Sequence, residues 1–143
     1  MFLLDTNVLA ELRRAKTGRA EPSVVAWARS VPPEGLFISV LTVLEIEIGI
    51  LRVERRDAAQ GSILRRWLDE QVLPAFAERL LPIDAPVVRR CAPLHVPDPR
   101  PERDALLAAT ALVHGLTVVT RNSRDFAGAG VALLDPWDEH EHE

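Results

Sequence analysis

Five acidic residues stand out by their neighbours. Asp5 follows Phe2-Leu3-Leu4, an apolar run that reads as a buried strand. A lone carboxylate there must be hydrogen-bonded, paired or metal-bound, because an unpaired buried charge is costly. It could also cap the helix that follows, a job equally open to Thr6 and Asn7. Glu45 and Glu47 lie in Val40–Leu51, among the most apolar stretches of the chain. Buried glutamates are rare unless paired, so two in so greasy a helix need a reason. Thr42 and Glu45 match a capping box, but Ser39, directly after a strand, makes the better cap. Periodicity does not choose between Glu45 and Glu47; one faces a site and the other solvent. Asp104 sits in the first turn of a helix opened by Pro101, where acids complement the helix dipole. Asp125 and Asn122 follow the apolar run Leu116–Val119, a setting that an ordinary turn would explain.

Each signal is weak alone. Together they place carboxylates on several elements that one sheet edge could gather. Such an oxygen-rich set suits a hard cation, magnesium or manganese, which prefers carboxylates and retained waters. In phosphodiester hydrolysis a metal of this kind lowers the pKa of the attacking water and offsets charge on the leaving oxygen. Water is then the nucleophile, and no covalent intermediate is needed. Crowded carboxylates repel one another, so the site should be destabilising until a cation enters.

The elements that must position these acids follow from short apolar runs and amphipathic stretches. Strands are expected at Phe2–Leu4, Leu36–Ile38, Leu80–Ile83, Leu116–Val119 and, less strongly, Val131–Leu134. Pro82 favours an irregular or edge position for the third. Helices are expected from an Asn7 cap through Arg14, from Pro22 to Ser30, from Val40 to about Glu54 and across Arg56–Ala77. Two more run from about Ala85 to His95 and from Pro101 to His114, the latter ended by Gly115. Strands separated by helices, without strict polar alternation, indicate a parallel sheet covered on both faces. Ligands gather at the carboxyl ends of such strands, here Asp5-Thr6-Asn7, Ser39, Asp84 and Thr120-Arg121-Asn122.

A length of 143 residues fits one compact domain, 1–143, with 138–143 expected to fray as an acidic, histidine-bearing tail. Hydrophobic residues at 48% and charged residues at 27% are an ordinary globular balance. The single cysteine, Cys91, excludes an internal disulfide framework and suits a small core residue in a reducing compartment. No apolar run is long enough to cross a bilayer, and Met1–Leu4 carries no signal-peptide basic region, so a cytoplasmic protein is expected. The net charge of −4 does not decide for or against a nucleic-acid partner. Lys16 is the only lysine, and the abundant arginines suit bidentate phosphate contacts as well as a biased genome composition.

Leu4-Asp5-Thr6-Asn7-Val8-Leu9 and Ser39-Val40-Leu41-Thr42-Val43-Leu44-Glu45 resemble the first two motifs of PIN-domain proteins. Asp104 with Ala108-Ala109-Thr110-Ala111, then Gly115–Asn122 with Asp125-Phe126, resemble the other two. Order, spacing and length are similar to VapC toxins, and Leu133-Leu134-Asp135-Pro136-Trp137 is similar to one VapC-like branch. The resemblance spans essentially the whole chain. It implies a three-layer α/β/α fold with a central parallel sheet of four to five strands. It also implies magnesium- or manganese-dependent RNA cleavage, a homodimer or a higher toxin–antitoxin assembly, and a VapB-like antitoxin. It assigns metal ligation to Asp5, Glu45 and Asp104, favouring Glu45 over Glu47. For the fourth position relatives carry the acid at either Asn122 or Asp125; Asp125 is taken here, with Asn122 and Thr120 in support. Thr6 would orient Asp5 or a metal-bound water. Arg100, Arg103, Arg121 and Arg124 lie near the expected site and could hold RNA phosphates, or be plain solvated arginines.

Other readings are weaker. An aspartate-dependent phosphatase would need a second acid where Asn7 stands. A catalytically silent, dimeric PIN-like scaffold would have no physical need for clustered carboxylates. Trp27, Trp67 and Trp137 suit packing or a subunit interface better than base stacking, since none adjoins the acidic motifs in sequence. His140 and His142 fit a solvated terminus better than a metal site.

Overall fold

The computed structural model describes residues 1–138. Its strands are β1 (Phe2–Leu4), β2 (Leu36–Ser39), β3 (Leu80–Leu81), β4 (Thr117–Val119) and β5 (Leu133–Leu134). They form one parallel sheet in the order β3-β2-β1-β4-β5. The helices are α1 (Thr6–Arg13), α2 (Pro22–Arg29), α3 (Val40–Arg56), α4 (Ala58–Trp67), α5 (Leu73–Ala75), α6 (Ala85–Cys91) and α7 (Glu102–His114). Successive strand side chains point to opposite faces. Leu4, Ile38 and Val119 therefore pack beneath Val8, Trp27, Ile46 and Ile50 of α1, α2 and α3. Leu3 and Val118 meet Leu107, Ala108 and Ala111 of α7 on the other face. Behind α7, Ala105 and Ala109 receive Val87 and Cys91 of α6. The small residues of α7 let it lie close to both neighbours, and the result is the expected α/β/α layering.

Several expected boundaries hold for local reasons. Pro22 opens α2, where a missing N–H has no consequence. Ser39 caps α3 by accepting from Leu41 N at 3.0 Å, so Thr42 lies inside the helix and is buried. Gly115 ends α7 at φ +67°, a backbone conformation that costs other residues more. The short strands β3 and β5 form the two edges of the sheet, as the weaker signals of their sequences suggest.

Three expectations are corrected. Asn7 does not cap α1; Asp5 does, since the chain turns one residue after the strand. The helix expected over Arg56–Ala77 begins two residues later, as α4, because Asp57 caps it by accepting from Gln60 N at 3.0 Å. It then widens into a π turn at Leu68–Val72. Pro74 has no N–H and crowds the preceding turn, and the wider turn accommodates it. The helix from Ala85 stops at Cys91 and tightens to a 3-10 turn, Ala92–His95, because Pro93 cannot donate to it.

The α3–α4 hairpin sets which way α3 faces. Arg65 of α4 bonds Glu47 at 2.6 Å and lies 3.7 Å from Glu54. The two helices meet where Gly61 lies against Glu54, and a Cβ at position 61 would stand 2.9 Å from the Glu54 Cα. Gly61→Ala should therefore force the hairpin apart and destabilise the protein by about 1–3 kcal/mol. Thermal denaturation reads this directly, and an unchanged melting temperature would show that the hairpin relaxes freely.

Candidate active site

In the sheet order, β2 and β4 flank β1, and the chain proceeds to opposite sides from it. The carboxyl ends of β1 and β4 thus part at a topological switch point, where parallel sheets open a crevice. Asp5 stands in that gap. Its N–H still donates to Val119 O at 2.9 Å, so it leaves the sheet in register. Oδ1 accepts from Thr6 N at 2.8 Å and caps α1, while Oδ2 accepts from the Thr120 hydroxyl at 2.8 Å. Helix cap and site residue are the same side chain.

Thr120 is completely buried. Its hydroxyl donates to Asp5 and accepts from Asn122 N at 3.0 Å and, more distantly, from Asn7 Nδ2 at 3.4 Å. That uses the full capacity of one hydroxyl. Asn7, released from capping, also accepts from Arg121 N at 3.4 Å and so links α1 to the segment after β4.

Asp5, Thr6, Asn7, Glu45, Arg103, Asp104 and Asn122 line one cleft of about 410 Å³. Glu45 and Glu47 are separated by about 200° around the helix. With Glu47 held by Arg65, Glu45 is turned to the cleft, where Arg103 Nε lies 3.6 Å from Oε1. Burial raises the Glu45 pKa; Arg103 opposes that rise, and the charges of Asp5 and Asp104 add to it. Asp104 is likewise raised by burial, then by Asp125 and Asp5, with Arg103 opposing. The acids therefore sense one another although they come from β1, α3, α7 and the turn after β4. Asp125, exposed on the 3-10 turn Ser123–Phe126, acts on Asp104 by charge, whereas Asn122 lines the cleft itself.

The donor set is all oxygen, which suits a hard divalent cation. The Thr6 hydroxyl fits the same picture. It favours the Glu45 anion, yet its Oγ1 is buried and makes no hydrogen bond of normal geometry. Among the described residues no three His, Cys, Asp or Glu side chains close into a tight metal cage. The acids instead stand around an open cleft, an arrangement compatible with a cation that keeps several waters.

The other expected residues divide. Arg103 is in the cleft, and Arg124 is exposed on the same turn as Asp125. Arg100 is engaged with the backbone. Its Nε donates to Leu94 O at 3.2 Å and its Nη1 to Ala127 O at 2.9 Å, which ties two loops together. Asp84 caps α6 through Val87 N at 3.3 Å and is no part of the cleft. Arg121 is exposed and lies over the Trp137 ring, 5.2 Å from its centre. Trp137 therefore does adjoin the acidic motifs in space, contrary to expectation. The missed signal was topological: β5 pairs with β4, so residues just beyond both strands become neighbours. His140 and His142 lie outside the described residues.

Comparison with known proteins matches the PIN domain to residues 2–131. Toxin FitB of Neisseria gonorrhoeae is 36% identical over 97% of this chain and 100% of its own length. VapC ribonuclease Y4jK of Sinorhizobium fredii is 35% identical over 96% and 99%. A solved structure of FitAB bound to an IR36 DNA fragment superposes with a TM-score of 0.86 at 34% identity, covering 100% of both chains. With four acidic motifs in order and a match across nearly the whole sequence, the chain belongs to the PIN-domain family.

Proposed function

We propose that the protein is the toxin of a VapBC-type toxin–antitoxin pair, an endoribonuclease that hydrolyses RNA with magnesium or manganese. The observation that carries this reading is the convergence of Asp5, Glu45 and Asp104, from three separate elements, on one cleft at the switch point of the sheet. The ribonuclease and toxin names of relatives similar along their whole length support it. The natural partners are then a VapB-like antitoxin and a second copy of the chain, acting in the cytoplasm. No helix among the described residues is long and apolar enough to cross a membrane.

Asp5, Glu45 and Asp104 would hold the cation, with Asp125 completing the charge and Asn122 and Thr120 supporting by hydrogen bonds. When bound, the cation supplies acidification of a water and relief of charge on the leaving oxygen. The protein's own part is preorganisation. Thr120 and the Thr6 N–H hold Asp5 at both oxygens. Glu45 and Asp104, partly desolvated and crowded by neighbouring acids, are the carboxylates whose charge a bound cation would most relieve. Arg103 and Arg124 offer guanidinium groups to the RNA phosphates flanking the cut. The phosphatase alternative lacks support, because position 7 is an asparagine engaged with Thr120.

Purified protein should cut RNA with magnesium or manganese and not with chelator. Asp5→Asn and Asp104→Asn should each lower the rate by ~10³-fold, matching a loss of several kcal/mol of charge stabilisation, with circular dichroism unchanged. Parent-like cutting by both variants would refute the proposed site, and folded but inert parent protein would favour a silent scaffold.

The raised acids also make a prediction about stability. A carboxylate with a raised native pKa binds protons more readily folded than unfolded. Its favourable contribution is complete below the unfolded value, about 4, and is lost as pH rises through the raised native one. In chelator at pH 7, Asp104→Asn should therefore melt roughly a few degrees above the parent and lose that advantage toward pH 4. Manganese should stabilise the parent and leave the variant nearly unmoved. Scanning fluorimetry across pH, with and without the ion, checks both signs.

A further inference from the structure

Building on the ribonuclease reading, we propose that Arg121 and Trp137 form a stacking subsite for an unpaired RNA base next to the cleaved phosphate. Trp137 packs against the core cluster that includes Leu4 and Val119. Its backbone is set by a tight turn: Trp137 N donates to Asp135 Oδ1 at 2.9 Å, and Asp138 N donates to Asp135 O at 3.1 Å. The indole is thus a fixed surface, and Arg121 lies over its ring at 5.2 Å.

Arg121 is exposed. Attraction to the ring limits the guanidinium's freedom and leaves it available at the surface. Its backbone follows Thr120, which holds Asp5, and precedes Asn122, which lines the cleft. Its own N–H reaches Asn7, another cleft residue, at 3.4 Å. An ordered planar cation therefore stands at the rim of the acidic cleft.

Single-stranded RNA offers two things to such a group, phosphate charge and the faces of unstacked bases. Guanidinium planes stack with bases, and stacking of this kind contributes about tenfold or more in affinity per base. Arg103 and Arg124 already stand nearby to meet phosphate. Of these three, Arg121 is the one that lies over an aromatic ring, so a base face is the contact it is best placed to make.

The test measures binding rather than turnover, in the Asp104→Asn background so that substrate stays intact. Fluorescence anisotropy follows a short unstructured RNA with magnesium present, beside copies in which one nucleotide at a time is abasic. The Asp104→Asn protein should lose about tenfold in affinity at one position of the abasic scan. Adding Arg121→Lys, which keeps the charge and removes the planar face, should erase that position dependence. Trp137→Leu should do the same, and Arg121→Lys keeps the test decisive if Trp137→Leu fails to fold. Equal affinity for intact and abasic RNA, or discrimination that survives Arg121→Lys, would mean phosphate contact only and would overturn the subsite. If the parent protein neither binds nor cuts RNA, the ribonuclease reading fails as well; if it cuts normally, only the stacking proposal is lost.

Discussion

The hydrogen bond from the Thr120 hydroxyl to Asp5 Oδ2 is the constraint on which the cleft depends. It joins the ends of β1 and β4 where the sheet divides, and its donor is fully buried. A bond to an ionised carboxylate is roughly twice as strong as a neutral one. It also stops Asp5 from turning away, because Oδ1 is already committed to the first turn of α1. The direction of α1, the path after β4 and the position of the leading acid are therefore coupled. Asn7 and Asn122 extend the same junction on either side.

The remaining acids reach the cleft because their helices are held elsewhere. α3 is fixed at its start by Ser39 and along its length by the Glu47–Arg65 pair on α4. α7 is fixed by alanines that let it nest between the sheet and α6. Neither constraint touches the chemistry. Both decide where Glu45 and Asp104 point. The consequence is a group of partly desolvated acids whose mutual repulsion opposes folding and which Arg103 only partly neutralises. Local conflict of this sort, inside an otherwise consistent fold, is typical of functional sites.

Much was legible from the chain alone. Apolar runs broken by helical periods specify a parallel, two-sided sheet, because only covered strands can be apolar on both faces. Asp5, Glu45 and Asp104 were recognisable by type, setting and motif order. The π turn was not, since the apolar period runs on through it, and Pro74 acts on the backbone rather than on that period.

Sequence by itself determined the element order and the layered architecture and put forward the candidate acids, for these follow from local hydrophobicity, turn chemistry and residue type. Only the tertiary structure decided that Asp5 both caps α1 and bonds Thr120, that Arg65 claims Glu47 and leaves Glu45 to the cleft, and that Arg100 ties loops while Arg121 covers Trp137. Each of those choices is a competition among partners far apart in the chain. Its outcome depends on which of them the sheet brings within hydrogen-bonding or van der Waals reach, and local sequence carries no record of that distance.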